Sequence, residues 1–342
     1  MNADRWFYRL SLFATALTFV VVVLGAYVRL TDAGLGCPDW PGCYGQLLVP
    51  DTRVEISQAN VAYPERPVEV GKGWKEMIHR YVAGTLGLTL FALAVMAVAR
   101  RRVPGQPVAL PLAIAALVVF QSALGMWTVT WKLKPVVVMA HLLGGLTILS
   151  LLWWQTLKMR ERVRGLPFAP LPCLAGLRSA LIAALVLLVA QIALGGWTST
   201  NYAAVACNEF PTCTLGQYWP ARADFAEGFT LWHGIGPNYE FGVHLSNAAK
   251  IAIHLTHRVG AVVVTLVLLA LAWGLWRAVP GRTASGAAAV LILALGLQLL
   301  LGIGNVVLNL PLAVAVAHNA GAALLLLVLV TLNFLGHPAR SP

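Results

Sequence analysis

Four histidines are the residues of this chain best placed to do chemistry. His79 and His257 stand 178 positions apart, and His141 and His318 stand 177 apart. An imidazole nitrogen is a common iron ligand. Two imidazoles that face each other at one depth suit the two axial positions of a haem iron. Helix bundles build such sites from side chains on facing helices. The duplication therefore predicts two sites, His79 with His141 and His257 with His318. Zinc suits the pairs less well, because no cysteine or carboxylate joins either one within a span. A lone histidine in a membrane helix often does no more than hydrogen-bond a neighbour, for about 1–2 kcal/mol. Four in two matched pairs are poorly explained that way.

Charged residues surround these positions. Arg80 and Arg258 each follow a histidine, where a guanidinium could bind the carboxylates of a haem edge bidentately or simply anchor a helix at the interface. Glu76 lies one helical turn before His79 on the same face. The equivalent position in the second copy is His254, so the copies diverge there. A carboxylate beside one site alone suggests that one site does chemistry, moving a proton or stabilising a cationic intermediate. The plainer reading is an acid favoured at a helix start by the helix dipole.

The elements that must position these groups are membrane helices. The 342-residue chain is 59% hydrophobic and 11% charged, with mean hydropathy +0.76, whereas soluble domains are about 25% charged. A span needs about 20 mostly apolar residues. Eight such stretches lie near 10–28, 78–99, 109–130, 135–157, 178–198, 252–275, 285–308 and 311–334. The first is too long for the apolar part of a secretory signal and is read as a retained span. The four histidines all fall on even-numbered spans, a few residues in from the same end, which places them at one depth.

The net charge of +11 belongs to short loops rather than to a nucleic-acid surface. Arg5, Arg9, Arg100, Arg101, Arg102, Lys158, Arg160, Arg162, Arg164, Arg277, Arg282 and Arg340 fall on one side, which the positive-inside rule makes cytoplasmic, with both termini. The long loops, about 29–77 and 199–251, then face outside. They contain Cys37 and Cys43, and Cys207 and Cys213, while Cys173 is alone in an inner loop. Pairs outside and a single thiol inside fit an oxidising exterior. Five residues separate the members of each pair, so a local disulfide is feasible, either as an inert staple or as a redox-active pair.

The repeat extends beyond the histidines. Gln121 of "QSALG" and Gln298 of "QLLLG" are also 177 apart, and the cysteine pairs are offset by 170. Spans 1–4 and 5–8 are thus two copies of one unit, a parallel repeat, giving an N-terminal bundle over 1–165 and a C-terminal bundle over 166–342. "QSALGMWTV", "QIALGGWTS" and "QLLLGIGNV" echo one another within the odd spans. Their glycines suggest close helix packing, with room for a flat cofactor as the alternative. His233, His244 and His337 lie outside the pattern.

At these residues the chain resembles the haem A synthase family of cytochrome oxidase assembly proteins, in its bacterial form. The resemblance rests on "GAYVRLTDAGLGCPDWPGCYGQ" from Gly25, "EMIHRYVAG" from Glu76, "HLLGG" from His141, "HLTHRVGA" from His254 and "HNAGA" from His318. It implies an all-α integral membrane fold of eight helices in two four-helix bundles, each with a haem pocket, in the bacterial plasma membrane. It implies haem O as substrate and haem A as product, the C8 methyl group being oxidised to a formyl by successive hydroxylations. Carried over, His79 and His141 flank the substrate haem with Glu76 supporting the chemistry, and His257 and His318 ligate a resident haem b. The partners implied are the bilayer, a haem O synthase, an electron donor and, as an open option, a second copy in a homo-oligomer. The cysteine pairs occur in some members of that family, and here both are present. The second outer loop, with "LWHGIGPNYEFGVHLSN" from Leu231, has no role beyond covering a pocket or meeting a partner.

Other classes fit less well. A di-haem electron-transfer protein needs the same histidines but has less reason to carry Glu76 in one copy only. A proton-coupled carrier needs charged residues at mid-membrane, and no Asp, Glu, Lys or Arg lies deep in a span. A prenyltransferase needs aspartate-rich motifs, and the aspartates here are scattered.

Overall fold

A computed structural model describes residues 2–165, 176–278 and 282–336. Cys173, His337 and Arg340 lie outside them, as does the stretch where the two proposed bundles join. Among the described residues the structure is helical, without strands; two isolated bridges, Cys43–Gln46 and Thr214–Gln217, close turns in the outer loops.

Among the described residues, eight helices are long and apolar enough to cross a membrane. They are α1 (Asn2–Leu30), α3 (Val70–Ala99), α4 (Ala109–Thr130), α5 (Pro135–Arg164), α6 (Arg178–Thr200), α8 (Asn247–Ala278), α9 (Arg282–Val307) and α10 (Leu312–Leu335). Two short helices, α2 (Arg53–Ala62) and α7 (Phe225–Gly228), belong to the long loops. Local signals set several ends. Thr52 and Glu55 form a reciprocal capping box on α2. Pro135 starts α5, where its missing N–H costs nothing, and Gly165 ends it in the left-handed conformation at φ 63°.

α1 begins at Asn2 rather than near 10, and the two helices that follow the long loops also begin earlier than the hydropathy pattern predicts: α3 at Val70 rather than near 78, and α8 at Asn247 rather than near 252. The added turns of α3 and α8 are polar, yet they are covered by loop. A Cβ on Gly73 would meet Val49 at 2.8 Å, and one on Gly36 would meet the Lys72 carbonyl at 2.6 Å. Loop packing thus supplies the burial that sequence hydropathy lacks.

The helices neighbour one another in a repeated order. α1 packs on α3 and α5, and α4 lies between α3 and α5. In the second half α6 packs on α8 and α10, and α9 lies between α8 and α10. The halves meet through α1, α5, α6 and α10. There Trp153 donates to Thr331 at 2.8 Å, and Leu146 and Leu149 of α5 join the apolar core around Leu181, Leu268 and Leu329. A separate core around Phe7, Leu90, Ile114 and Leu152 fills the first half. At its inner end Asp4 pairs with both Arg100 and Arg162.

Candidate active site

Each of the four histidines rests on a glycine of another helix. A Cβ on Gly25 of α1 would lie 3.1 Å from the His79 ring, and one on Gly125 of α4 would lie 3.4 Å from His141. In the second half the equivalent contacts are Gly195 of α6 to His257 and Gly302 of α9 to His318, both at 3.0 Å. These four glycines therefore make room for imidazoles, and at the three contacts of 3.0–3.1 Å the ring would have to give way to a Cβ. His79 and His141 lie within electrostatic reach of each other, as do His257 and His318.

The Nδ1 atoms of His79, His141 and His318 are buried without a hydrogen-bond partner. Buried polar atoms are rarely left so. Paired imidazoles seated by glycine, three of them short of a polar partner at Nδ1, fit ligation of an iron. Among the described residues no group of three or more His, Cys, Asp and Glu is assembled as for a metal ion, so each pair stands as two imidazoles alone.

Glu76 is buried above His79. Its Oε2 accepts the Cys37 N–H at 2.9 Å, and its Oε1 pairs with Arg80. Its counterpart His254 is equally buried, and its Nδ1 accepts the Cys207 N–H at 3.2 Å. Both residues thus hold the first cysteine of an outer loop. The loops are closed by disulfides, Cys37–Cys43 and Cys207–Cys213. In each, an acid caps the following turn: Asp39 accepts from the N–H groups of Tyr44 and Gly45, and Glu209 from those of Leu215 and Gly216.

The two arginines point into these same loops. Arg80 donates to the carbonyls of Asp39, Pro41 and Gly42. Arg258 donates to those of Cys207, Glu209 and Thr212. A tight disulfide loop turns its carbonyls toward the helix, and a guanidinium satisfies several at once. The buried Arg258 Nε keeps a free donor for a carboxylate. Glu76, Arg80, His254 and Arg258 therefore gather at the two disulfide-closed loops, with His79 and His257 beside them on α3 and α8.

The second outer loop crosses to the first half, a contact that the sequence did not disclose. Lys134, almost wholly buried, donates to the Gly234 carbonyl and lies against the Trp232 ring. The Tyr239 N–H donates to the Lys132 carbonyl at 3.1 Å. Glu240 takes both Arg66 guanidinium nitrogens at 2.8 and 2.9 Å, while Arg66 Nε donates to the Leu35 carbonyl. Hydrogen bonds and charge from Arg66 hold the Glu240 carboxyl below the usual carboxylate range. The one sequence hint was an acid within an otherwise unassigned loop.

The family model for the COX15-CtaA cytochrome oxidase assembly proteins matches residues 8–330. A Heme A synthase of Shewanella oneidensis is 46% identical over 271 residues, 79% of this chain and 78% of that one. Those of Rhizorhabdus wittichii and Chelativorans are each 28% identical, over 65% and 84% of this chain and 68% and 79% of theirs. A match that runs through both halves, together with a relative this similar over most of its length, makes the chain a member of the COX15-CtaA family of cytochrome oxidase assembly proteins.

Proposed function

We propose that the chain is a haem A synthase, oxidising the C8 methyl of haem O to a formyl group in two or more hydroxylation steps. The observation that carries this reading is the asymmetric pair of sites: four histidines on four glycine seats, with the carboxylate of Glu76 at one site and His254 in its place at the other. The similarity to Heme A synthases supports the same substrate and product.

In this reading residues 1–165 hold the substrate. His79 and His141 orient haem O between them, and Gly25 and Gly125 hold those rings in place. Glu76, one turn outward, is positioned to hold or pass a proton at the outer edge of the site, with Arg80 fixing its carboxylate. The apolar helix walls exclude water. Residues 166–342 hold haem b through His257 and His318, with Arg258 Nε available to a propionate. Bound haem b supplies one-electron redox chemistry to the first site. The basic ends of the helices face the cytoplasm, so both sites lie toward the outer leaflet. A haem O synthase supplies the substrate, and an external oxidant together with a separate redox partner takes up the four electrons that the methyl loses in becoming a formyl.

The test is chromatography of haems extracted from membranes of a host that makes haem O but no haem A, with and without this chain. New haem A, or its C8-hydroxymethyl precursor, is expected. Bound haem b with haem O left unaltered, in folded protein and with a competent redox partner present, would overturn the enzyme in favour of a di-haem electron carrier.

A further inference from the structure

A glutamine accompanies three of the four histidines, one helical turn from the glycine that seats the ring. Gln121 precedes Gly125, Gln191 precedes Gly195 and Gln298 precedes Gly302, each by four residues. Gln121 Nε2 donates to the His141 carbonyl at 2.8 Å. Gln191 Nε2 donates to the His257 carbonyl at 2.9 Å and lies 3.0 Å from the His257 ring. Gln298 Nε2 lies 3.4 Å from His318 Nε2, whereas Gln191 faces Nδ1 of His257.

Each glutamine needs a second glycine, three residues after its histidine. A Cβ on Gly144 would stand 2.6 Å from the Gln121 amide, and one on Gly260 or Gly321 would collide with the amide of Gln191 or Gln298. Glutamine and glycine are therefore one device. The fourth unit lacks both halves of it: Val21 stands four residues before Gly25, and Val82 three residues after His79. A β-branched side chain at 82 leaves no seat for an amide, and α1 offers none at 21.

The unpaired atoms point to what the device does. The Oε1 atoms of all three glutamines are buried without a partner, and Gln121 is itself 6% exposed. An imidazole bound to metal through one nitrogen carries hydrogen on the other and needs an acceptor there, which orients the ring and raises its basicity. Amide nitrogen and oxygen exchange places on a half-turn. Glutamine beside the ring can thus hold the helix turn or accept from the imidazole.

Resting on the haem-ligand reading above, we infer that Gln121, Gln191 and Gln298 are positioning residues for His141, His257 and His318, and that Val21 with Val82 leaves His79 as the weakly held ligand from which substrate and product haem exchange. The resident group then sits between two supported histidines and the substrate between one supported and one unsupported.

The test uses the full chain, purified in detergent, with one site removed at a time. In a His257→Ala background, Val21→Gln with Val82→Gly should slow haem transfer to apomyoglobin about tenfold or more. In a His79→Ala background, Gln191→Leu should speed it by about 10–100-fold, the range typical for loss of such a partner. Gln191→Leu should also raise the midpoint potential of that haem, and Gln191→Glu, which keeps an acceptor, should restore it. A purely structural glutamine would leave the potential unmoved. Transfer at the parental rate in the Val21→Gln/Val82→Gly variant, with the low-spin spectrum retained, overturns the inference. Parents that bind no low-spin haem overturn the histidine assignment beneath it, which is a separate failure.

Discussion

Glu76 and His254 occupy one position in the two halves and make one contact: each accepts the backbone N–H of the first cysteine in its outer loop, at 2.9 and 3.2 Å. The shared contact is the loop anchor. What Glu76 adds is charge, and with it the ion pair to Arg80.

The two contributions separate by substitution. Glu76→Gln keeps an oxygen for Cys37 but removes the charge. It should bind haem normally and lose haem A formation. Glu76→Ala removes the anchor as well and leaves the buried Cys37 N–H without an acceptor, which costs about 1–3 kcal/mol. Chromatography of extracted haems and thermal unfolding measure the two effects. Normal haem A formation by Glu76→Gln would remove the catalytic role and leave only the anchor.

The second pair of histidines should control resident haem. His257→Ala and His318→Ala should each lower haem b in purified protein, read from the pyridine haemochrome spectrum. Unchanged haem b in both variants would end the assignment of these residues as its ligands.

The glycine seats predict a graded response. Gly195→Ala places a Cβ 3.0 Å from the His257 ring and should shift the low-spin haem spectrum, at a stability cost of about 1–3 kcal/mol from overpacking. Gly84 has open space on the same kind of helix, so Gly84→Ala should be neutral or slightly stabilising. Equal behaviour of the two variants would show that the seat is not tight.

The Arg66–Glu240 pair should make the crossing loop sensitive to acid. A carboxyl whose folded pKa is lowered contributes stability above its unfolded value, about 4.3, and loses it as pH falls through the lower folded value. Cleavage within 229–245 by an acid-tolerant protease should therefore rise below about pH 4. In Glu240→Gln it should already be raised at neutral pH. Protection that is independent of pH and of this substitution would mean that the pair does not hold the loop down.

Much of this was legible in one dimension because a membrane leaves few choices. Eight apolar stretches must be helices, since backbone polar groups have no other partner in lipid. The repeat then matched His79 with His257 and His141 with His318 by counting alone. The offset that aligns His79 with His257 also aligned Glu76 with His254, so their divergence was visible without coordinates. Where hydropathy ran out, so did the reading. The outer turns of α3 and α8 are polar, and only loop packing shows them to be helical and buried.

What the sequence determined by itself is the set of apolar helices and the repeated histidine and glycine positions along them, because hydropathy and helical periodicity are local properties. What only the tertiary structure decided is which partner each polar group takes. Arg80 and Arg258 meet loop carbonyls, Glu240 reaches Arg66 across the two halves, and Gly25, Gly125, Gly195 and Gly302 each receive a particular imidazole. Those contacts join residues far apart in the chain. They follow from how the helices pack and where the loops cross, and no local pattern encodes that.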